Sequence, residues 1–316
     1  MFTRRFAMSR FGAATPAAIV DALRAVAGDP STAGASFARG RCVRGTYAPS
    51  DHAGDITKSR SFTRPSRILA RFSVGGGDAN GAAAGKLRGF SFSLGADAHR
   101  SDIVAQSAPV HYARTLEQML GFIEARRPRA GGRPDPEAIG AFCAAHPETL
   151  HQSDCIADTP PPPSYAGTVY WGVHAFPATS ATGETRFIKF KIVPVGGEAG
   201  RGAEESATTA AVLLDDLAWR IAAGDVRFSV MALPGRPGDP ILDVTARWPE
   251  EDDREAIRLG TLVVTGMEVE CARGALPFDP ATLAEGIGLP ADEIFAARRA
   301  CAVSPARLPI GWSQPI

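Results

Sequence analysis

Between residues 15 and 26 the apolar side chains recur at helical spacing, at Ile19, Val20, Leu23 and Val26, and the run stops at Gly28-Asp29-Pro30. A 3.6-residue period puts these four on one face, which predicts an N-terminal helix. From Gly40 to Leu94 the pattern shortens. RCVRGTY, RILARFSV and LRGFSFSL are β-rich pieces separated by Gly, Pro, Asp and Asn clusters, and they predict strands of an antiparallel sheet. Helices are expected over 115–125 and over 136–145, where Pro136 sits near the start. The proline run 160–163 predicts a rigid extended connection. Strands resume in TVYWGVHAF, TRFIKFKIVP, VRFSVMAL and TLVVTGMEV, interrupted by a helical stretch over 207–223, and a last helix is expected over 280–299.

These strands follow one another with hairpin-length gaps rather than alternating with helices, which disfavours a doubly wound parallel sheet. The expected fold class is α+β: a closed antiparallel β-barrel of about eight strands with surrounding helices. The division expected is an N-terminal helical arm over 1–35 and a barrel domain over 36–316.

Composition narrows the partners. The chain has 316 residues, with 34 Lys+Arg against 34 Asp+Glu. Without a basic excess, nucleic acid is a poor partner. No window reaches the ~20 apolar residues of a membrane-spanning helix, and Arg10 with the nearby Gly and Pro breaks any apolar signal region. A soluble, cytoplasmic protein is expected. The five cysteines, Cys42, Cys143, Cys155, Cys271 and Cys301, have no CxxC spacing, which argues against a disulfide framework and a zinc site.

DITKSRSFTRPSRILARFSVGGG followed by KLRGFSFSL resembles the first barrel strands of the catalases. SDIVAQSAPVHYARTLEQM is similar to the segment that carries their distal asparagine. SYAGTVYWGVHAF, VRFSVMALPGRPGDPILDVTARWPE, RLGTLVVTG and ALPFDPATLAEGIGLPADEI resemble the small catalase-related peroxidases. The likeness runs from about Ser36 onward and implies haem b between barrel and helices. It also implies a homodimer, since small relatives of this type often pair.

The same resemblance places the chemistry. Where the family has its distal histidine, SFARGRCVRGTY has Phe37, so the general base that speeds a proton transfer by ~10²- to 10⁴-fold is missing. Where the family has a tyrosinate ligand, AARRACAVSPARL has Cys301, with Ser304 and Arg307 in step behind it. Either the iron has exchanged its ligand for a cysteine thiolate or the haem is gone. Arg298, or alternatively Arg299, stands for the arginine that keeps the ligand anionic. Arg71 corresponds to the arginine that meets a haem propionate, and Arg39 could assist. Gln106 takes the place of the distal asparagine. His111 takes that of a phenylalanine over the haem, either restoring an ionisable group or lining a channel. His174 matches a family histidine at the back of the haem. His52 and His99, in polar turns, are expected to be solvated.

An apolar ceiling over a thiolate-ligated iron, as the resemblance implies it, points to a haem-dependent oxidoreductase of a small organic substrate, acting as a peroxygenase, as a peroxidase or by haem-catalysed rearrangement or dehydration, with hydrogen peroxide or dioxygen as candidate partners and little true catalase turnover. Two alternatives stand beside it. One is a catalase-related peroxidase that uses His111 and Gln106 on hydrogen peroxide; the other is a haem-binding or haem-free scaffold.

Overall fold

The computed structural model describes residues 14–27, 39–74, 87–128, 132–196, 209–224, 226–268 and 278–303, with backbone alone at Ala27, Arg39 and Ala210. Eight strands close a barrel in chain order: β1 (Arg39–Pro49), β2 (Ser66–Val74), β3 (Arg88–Leu94), β4 (Ser101–Gln106), β5 (Tyr170–Thr179), β6 (Thr185–Pro194), β7 (Arg227–Pro234) and β8 (Ile257–Glu268). Each pairs antiparallel with its neighbour, and β8 returns to β1. The helices are α1 (Pro16–Ala27), the short α2 (Ala53–Ile56) and α3 (Arg60–Thr63), α4 (Leu116–Ala125), α5 (Pro136–Ala145), α6 (His151–Asp158), α7 (Ala210–Ala223) and α8 (Glu293–Val303). The expected fold class is the observed one.

Strand periodicity explains what fills the barrel. Side chains two apart share a face, so Ile68, Ala70, Phe72 and Val74 of β2 and Phe90, Phe92 and Leu94 of β3 all enter one buried core. The Phe72 and Phe90 rings stack with centroids 4.3 Å apart. Tyr170, Phe190 and Phe228 complete this aromatic packing. An eight-stranded barrel is narrow enough for side chains to fill. Chemistry is therefore left to the layer between the barrel and its helices.

That layer has its own apolar cluster. Ile19, Val20 and Ala22 of α1 pack with Met119 and Ile123 of α4 and with Ile294, Ala297 and Cys301 of α8. Local signals place these helices: Thr115 caps α4 by accepting from the Gln118 N–H, and Asp135 caps α5 ahead of Pro136.

Three expectations need correction. The last helix begins at Glu293 rather than near residue 280, because Gly286 has φ +104° and a Cβ there would lie 2.6 Å from the Ser59 nitrogen. Pro290 then bars a helix until it has passed. Secondly, β4 and α6 lie in stretches for which the apolar pattern predicted no element. Thirdly, Cys42 is disulfide-bonded, with a partner outside the described residues. It is buried on β1, whereas the scattered spacing of the cysteines argues against a disulfide framework. Among the described residues no helix is long and apolar enough to cross a membrane.

Candidate active site

The start of α8 builds the site's electrostatic spine. Asp292 precedes the helix and accepts from the Phe295 N–H at 3.1 Å through one carboxylate oxygen. Its other oxygen meets Nδ1 of His174, from β5, at 2.8 Å, with both side chains buried. From the next turns of α8, Nη1 of Arg298 lies 2.9 Å from Nε2 of the same ring. A guanidinium can only donate, so Nε2 is the acceptor and the proton sits on Nδ1, facing Asp292. Burial pushes the His174 pKa down, outweighing the pull of Asp292, and the imidazole is neutral.

One helical turn beyond Arg298, and so on the same side of α8, comes Cys301. It is 9% exposed within the cluster of α1, α4 and α8. Burial pushes its thiol up to about 11, while the charges of Arg298 and Arg24 pull the other way.

The loop between β4 and α4 supplies the opposite groups. Tyr112 packs against the same cluster. Its ring lies between His111, at 4.2 Å, and Phe122, at 4.3 Å, both stacked. Burial raises the phenol pKa, and the charge of Cys301 raises it further. His111 is 4% exposed. Its Nδ1 sits 3.2 Å from the Ala113 nitrogen and 3.1 Å from the Ala113 oxygen. Burial, followed by the Arg298 charge, pushes its pKa down to about 3. Gln106 ends β4 with its amide turned to backbone: Nε2 donates to the Val110 oxygen at 2.8 Å and reaches the Ala108 oxygen at 3.4 Å. Gln152 of α6 donates to the same Val110 oxygen at 2.9 Å, which pins this loop from a second side.

Two further arginines lie on opposite faces of the barrel wall, Arg88 on the core side with Val74 and Phe90, Arg71 on the other. Arg71, half-buried on β2, reaches over Gly40, where glycine is required because a Cβ would clash with the Phe72 backbone oxygen. Burial lowers the Arg71 pKa, and Tyr165 counters it. Arg88 of β3 approaches the same Tyr165, 6.0 Å from its ring centroid. It is 1% exposed, and its Nη1 donates to the Pro162 oxygen, to the Ser164 oxygen at 2.9 Å and to Thr168 Oγ1 at 2.6 Å. Its buried Nε has no partner among the described residues. Sequence reasoning passed over Arg88. The available signal was an arginine inside the otherwise apolar strand LRGFSFSL, directly after a glycine-rich stretch.

Among the residues singled out from the sequence, the structure thus brings His111, Arg298 and Cys301 into one electrostatic neighbourhood with Tyr112 and His174. It assigns Arg299 elsewhere, to an exposed pair with Asp279 at 3.0 Å. His52 lies exposed beside Asp55; His99 is exposed as well. Phe37, Ser304 and Arg307 lie outside the described residues, and Arg39 is described as backbone in β1. No group of three or more His, Cys, Asp or Glu able to hold a metal ion occurs among the described residues.

Comparison with known proteins bears on the family and the fold. The chain is 31% identical over 256 residues to the catalase-related peroxidase of Synechococcus elongatus, covering 79% of this chain and 75% of that one. It is 29% identical over 286 residues to the catalase-related peroxidase of Mycolicibacterium paratuberculosis, covering 87% and 88%. A solved bacterial catalase superposes with a TM-score of 0.70 at 20% identity, over 85% of this chain and 56% of its own, a likeness of fold. The Catalase family model matches residues 34–302, and the chain belongs to the catalase family.

Proposed function

We propose that the protein is a haem-dependent oxidoreductase of the peroxidase type, in which Cys301 would ligate the iron of haem b, with a small organic molecule as substrate. Its two catalase-related peroxidase relatives support the oxidoreductase class. One observation carries the finer reading: the chain Asp292–His174–Arg298 ends one helical turn before the Cys301 thiol.

The donor set fits the group. Thiolate is a soft ligand suited to iron; burial holds the free Cys301 thiol protonated against the pull of Arg298, so metal binding would have to displace the proton. Among the described arginines of the barrel, Arg71 stands on the face of β2 opposite the Phe72 core side and would meet a propionate carboxylate there. By resemblance, Arg39, Ser304 and Arg307 belong to the same cofactor surroundings.

When bound, a thiolate-ligated haem supplies oxidising chemistry at the iron. The protein's own groups set the rest. Asp292 holds the His174 tautomer, His174 aims Arg298, and Arg298 steadies charge on the sulfur. Gln106 spends its amide on the loop that carries His111 and Tyr112, so its role is to shape the pocket rather than to donate into it. With Phe37 at the place of the distal base, hydrogen peroxide lacks its proton shuttle. Oxygen release from hydrogen peroxide is therefore expected to be very low, while peroxide-driven oxidation of small phenolic or aliphatic compounds is retained.

A second reading, reduction of hydrogen peroxide, draws on His111, which is uncharged at neutral pH and among the described residues engages Nδ1 alone. The test is oxygen evolution from hydrogen peroxide by the haem-loaded protein. Appreciable evolution that disappears in His111→Ala would replace the first reading with the second.

A further inference from the structure

Arg88 opens β3 on the core side of the barrel wall, and its side chain is fully buried. A guanidinium keeps its proton inside a protein, so this is a permanent positive charge in a place of low dielectric constant. Such a charge is costly unless it is paired. The partners that Arg88 has are neutral. Nη1 donates to the carbonyl oxygens of Pro162 and Ser164 and to the Thr168 hydroxyl, and no carboxylate among the described residues makes an ion pair with it. The carboxylate whose charge reaches it, Asp216 of α7, is bound to Arg220 at 3.0 Å.

A second observation concerns another atom of the same group. The Nε–H of Arg88 is buried and has no hydrogen-bond partner among the described residues. Leaving a buried donor unmade forfeits the contact it had with water. One guanidinium therefore carries both an unpaired charge and an open donor.

We infer that the Nε–H of Arg88 binds a small monovalent anion of halide size at this end of the barrel. The surroundings select the class. Tyr165, with its ring centroid 6.0 Å from the guanidinium carbon, and Tyr170 are fully buried, so the place is enclosed. A phosphate or sulfate brings several oxygens that each require donors, and one free N–H would leave most of them unmet. A halide accepts from any direction, needs the least room, and matches the single charge of the guanidinium.

The experiment uses the full chain, with chloride and bromide as probes. Thermal unfolding is followed at constant ionic strength while gluconate, too large to be enclosed, is exchanged for chloride. The wild type is expected to gain on the order of 3 °C in Tm for each tenfold of chloride above its Kd. Arg64→Met, at an exposed arginine, keeps that dependence, and Arg88→Met loses it. Bromide-soaked crystals of the wild type, which do not depend on how well a variant folds, are expected to show anomalous density within hydrogen-bond distance of Arg88 Nε. Equal Tm in chloride and gluconate would overturn the inference, as would a chloride dependence that survives in Arg88→Met or an absence of bromide density at Nε. Bromide density without a chloride-specific rise in Tm would mark an adventitious ion only, and would overturn it as well.

Discussion

The Arg298 guanidinium donates to Nε2 of His174 at 2.9 Å, and that single contact decides where the imidazole keeps its proton. Because Nε2 is occupied as an acceptor, Nδ1–H must face Asp292, and three side chains from β5 and the start of α8 become one buried unit.

Removing the middle of that unit should be costly. His174→Ala leaves the Asp292 carboxylate, whose side chain is 0% exposed, without its main partner. Leaving a buried carboxylate without a hydrogen-bond donor costs about 2–3 kcal/mol, and urea denaturation is expected to show a loss of that size. A loss below about 1 kcal/mol would mean that the contact is not made in solution.

Acid should weaken the fold through its buried imidazoles. His111 falls from 6.5 to about 3 and His174 is also lowered, in both cases first by burial. The unfolded chain therefore takes up these protons first. Their stability contribution is complete above about pH 6.5 and is lost as pH falls toward 3. Each such proton steepens the pH dependence by ~1.4 kcal/mol per pH unit. His111→Phe is expected to flatten this limb by one proton in denaturation midpoints measured between those limits. An unaltered slope would show that His111 is not buried in its neutral form.

Arg88→Met should act on the fold. It strips the Ser164 oxygen and Thr168 Oγ1 of a charged donor, at a cost on the order of 3 kcal/mol in thermal or chemical unfolding. Arg71→Met, on the other face of the barrel wall, should instead weaken haem binding in a titration of the apoprotein. Haem affinity intact in Arg71→Met would remove Arg71 from the cofactor surroundings.

Thiol counting checks the disulfide. The chain has five cysteines, and Cys143, Cys155 and Cys301 are free while Cys42 is paired. In denaturant without reductant a thiol reagent is expected to find 5 − 2 = 3 reactive cysteines, and five after reduction. A count of five before reduction would contradict the bond. Disulfides are uncommon in reducing compartments, so the oxidised count also bears on where the protein works.

What the sequence made legible follows from where each signal resides. The strands of β2 and β3 could be read because alternate residues face one apolar core, which stamps a period of two on RILARFSV and GFSFSL. By contrast, β4 is six residues long and takes its form from pairing with β3, so SDIVAQ carries little pattern of its own. The helical pattern over 280–299 misled because the backbone at Gly286 is dictated by contact with Ser59, far off in sequence. In the site, Cys301 and Arg298 were legible from resemblance, whereas Arg88, Tyr112 and the partner of Cys42 depend on what the fold brings beside them.

The ligand assignment is tested most directly by reducing the haem-loaded protein under carbon monoxide and recording its absorption spectrum beside that of Cys301→Ser. The account predicts the red-shifted Soret band of a thiolate-ligated ferrous carbonyl in the wild type and its loss in the variant. A wild-type spectrum without that band, or one that Cys301→Ser leaves unchanged, would contradict it.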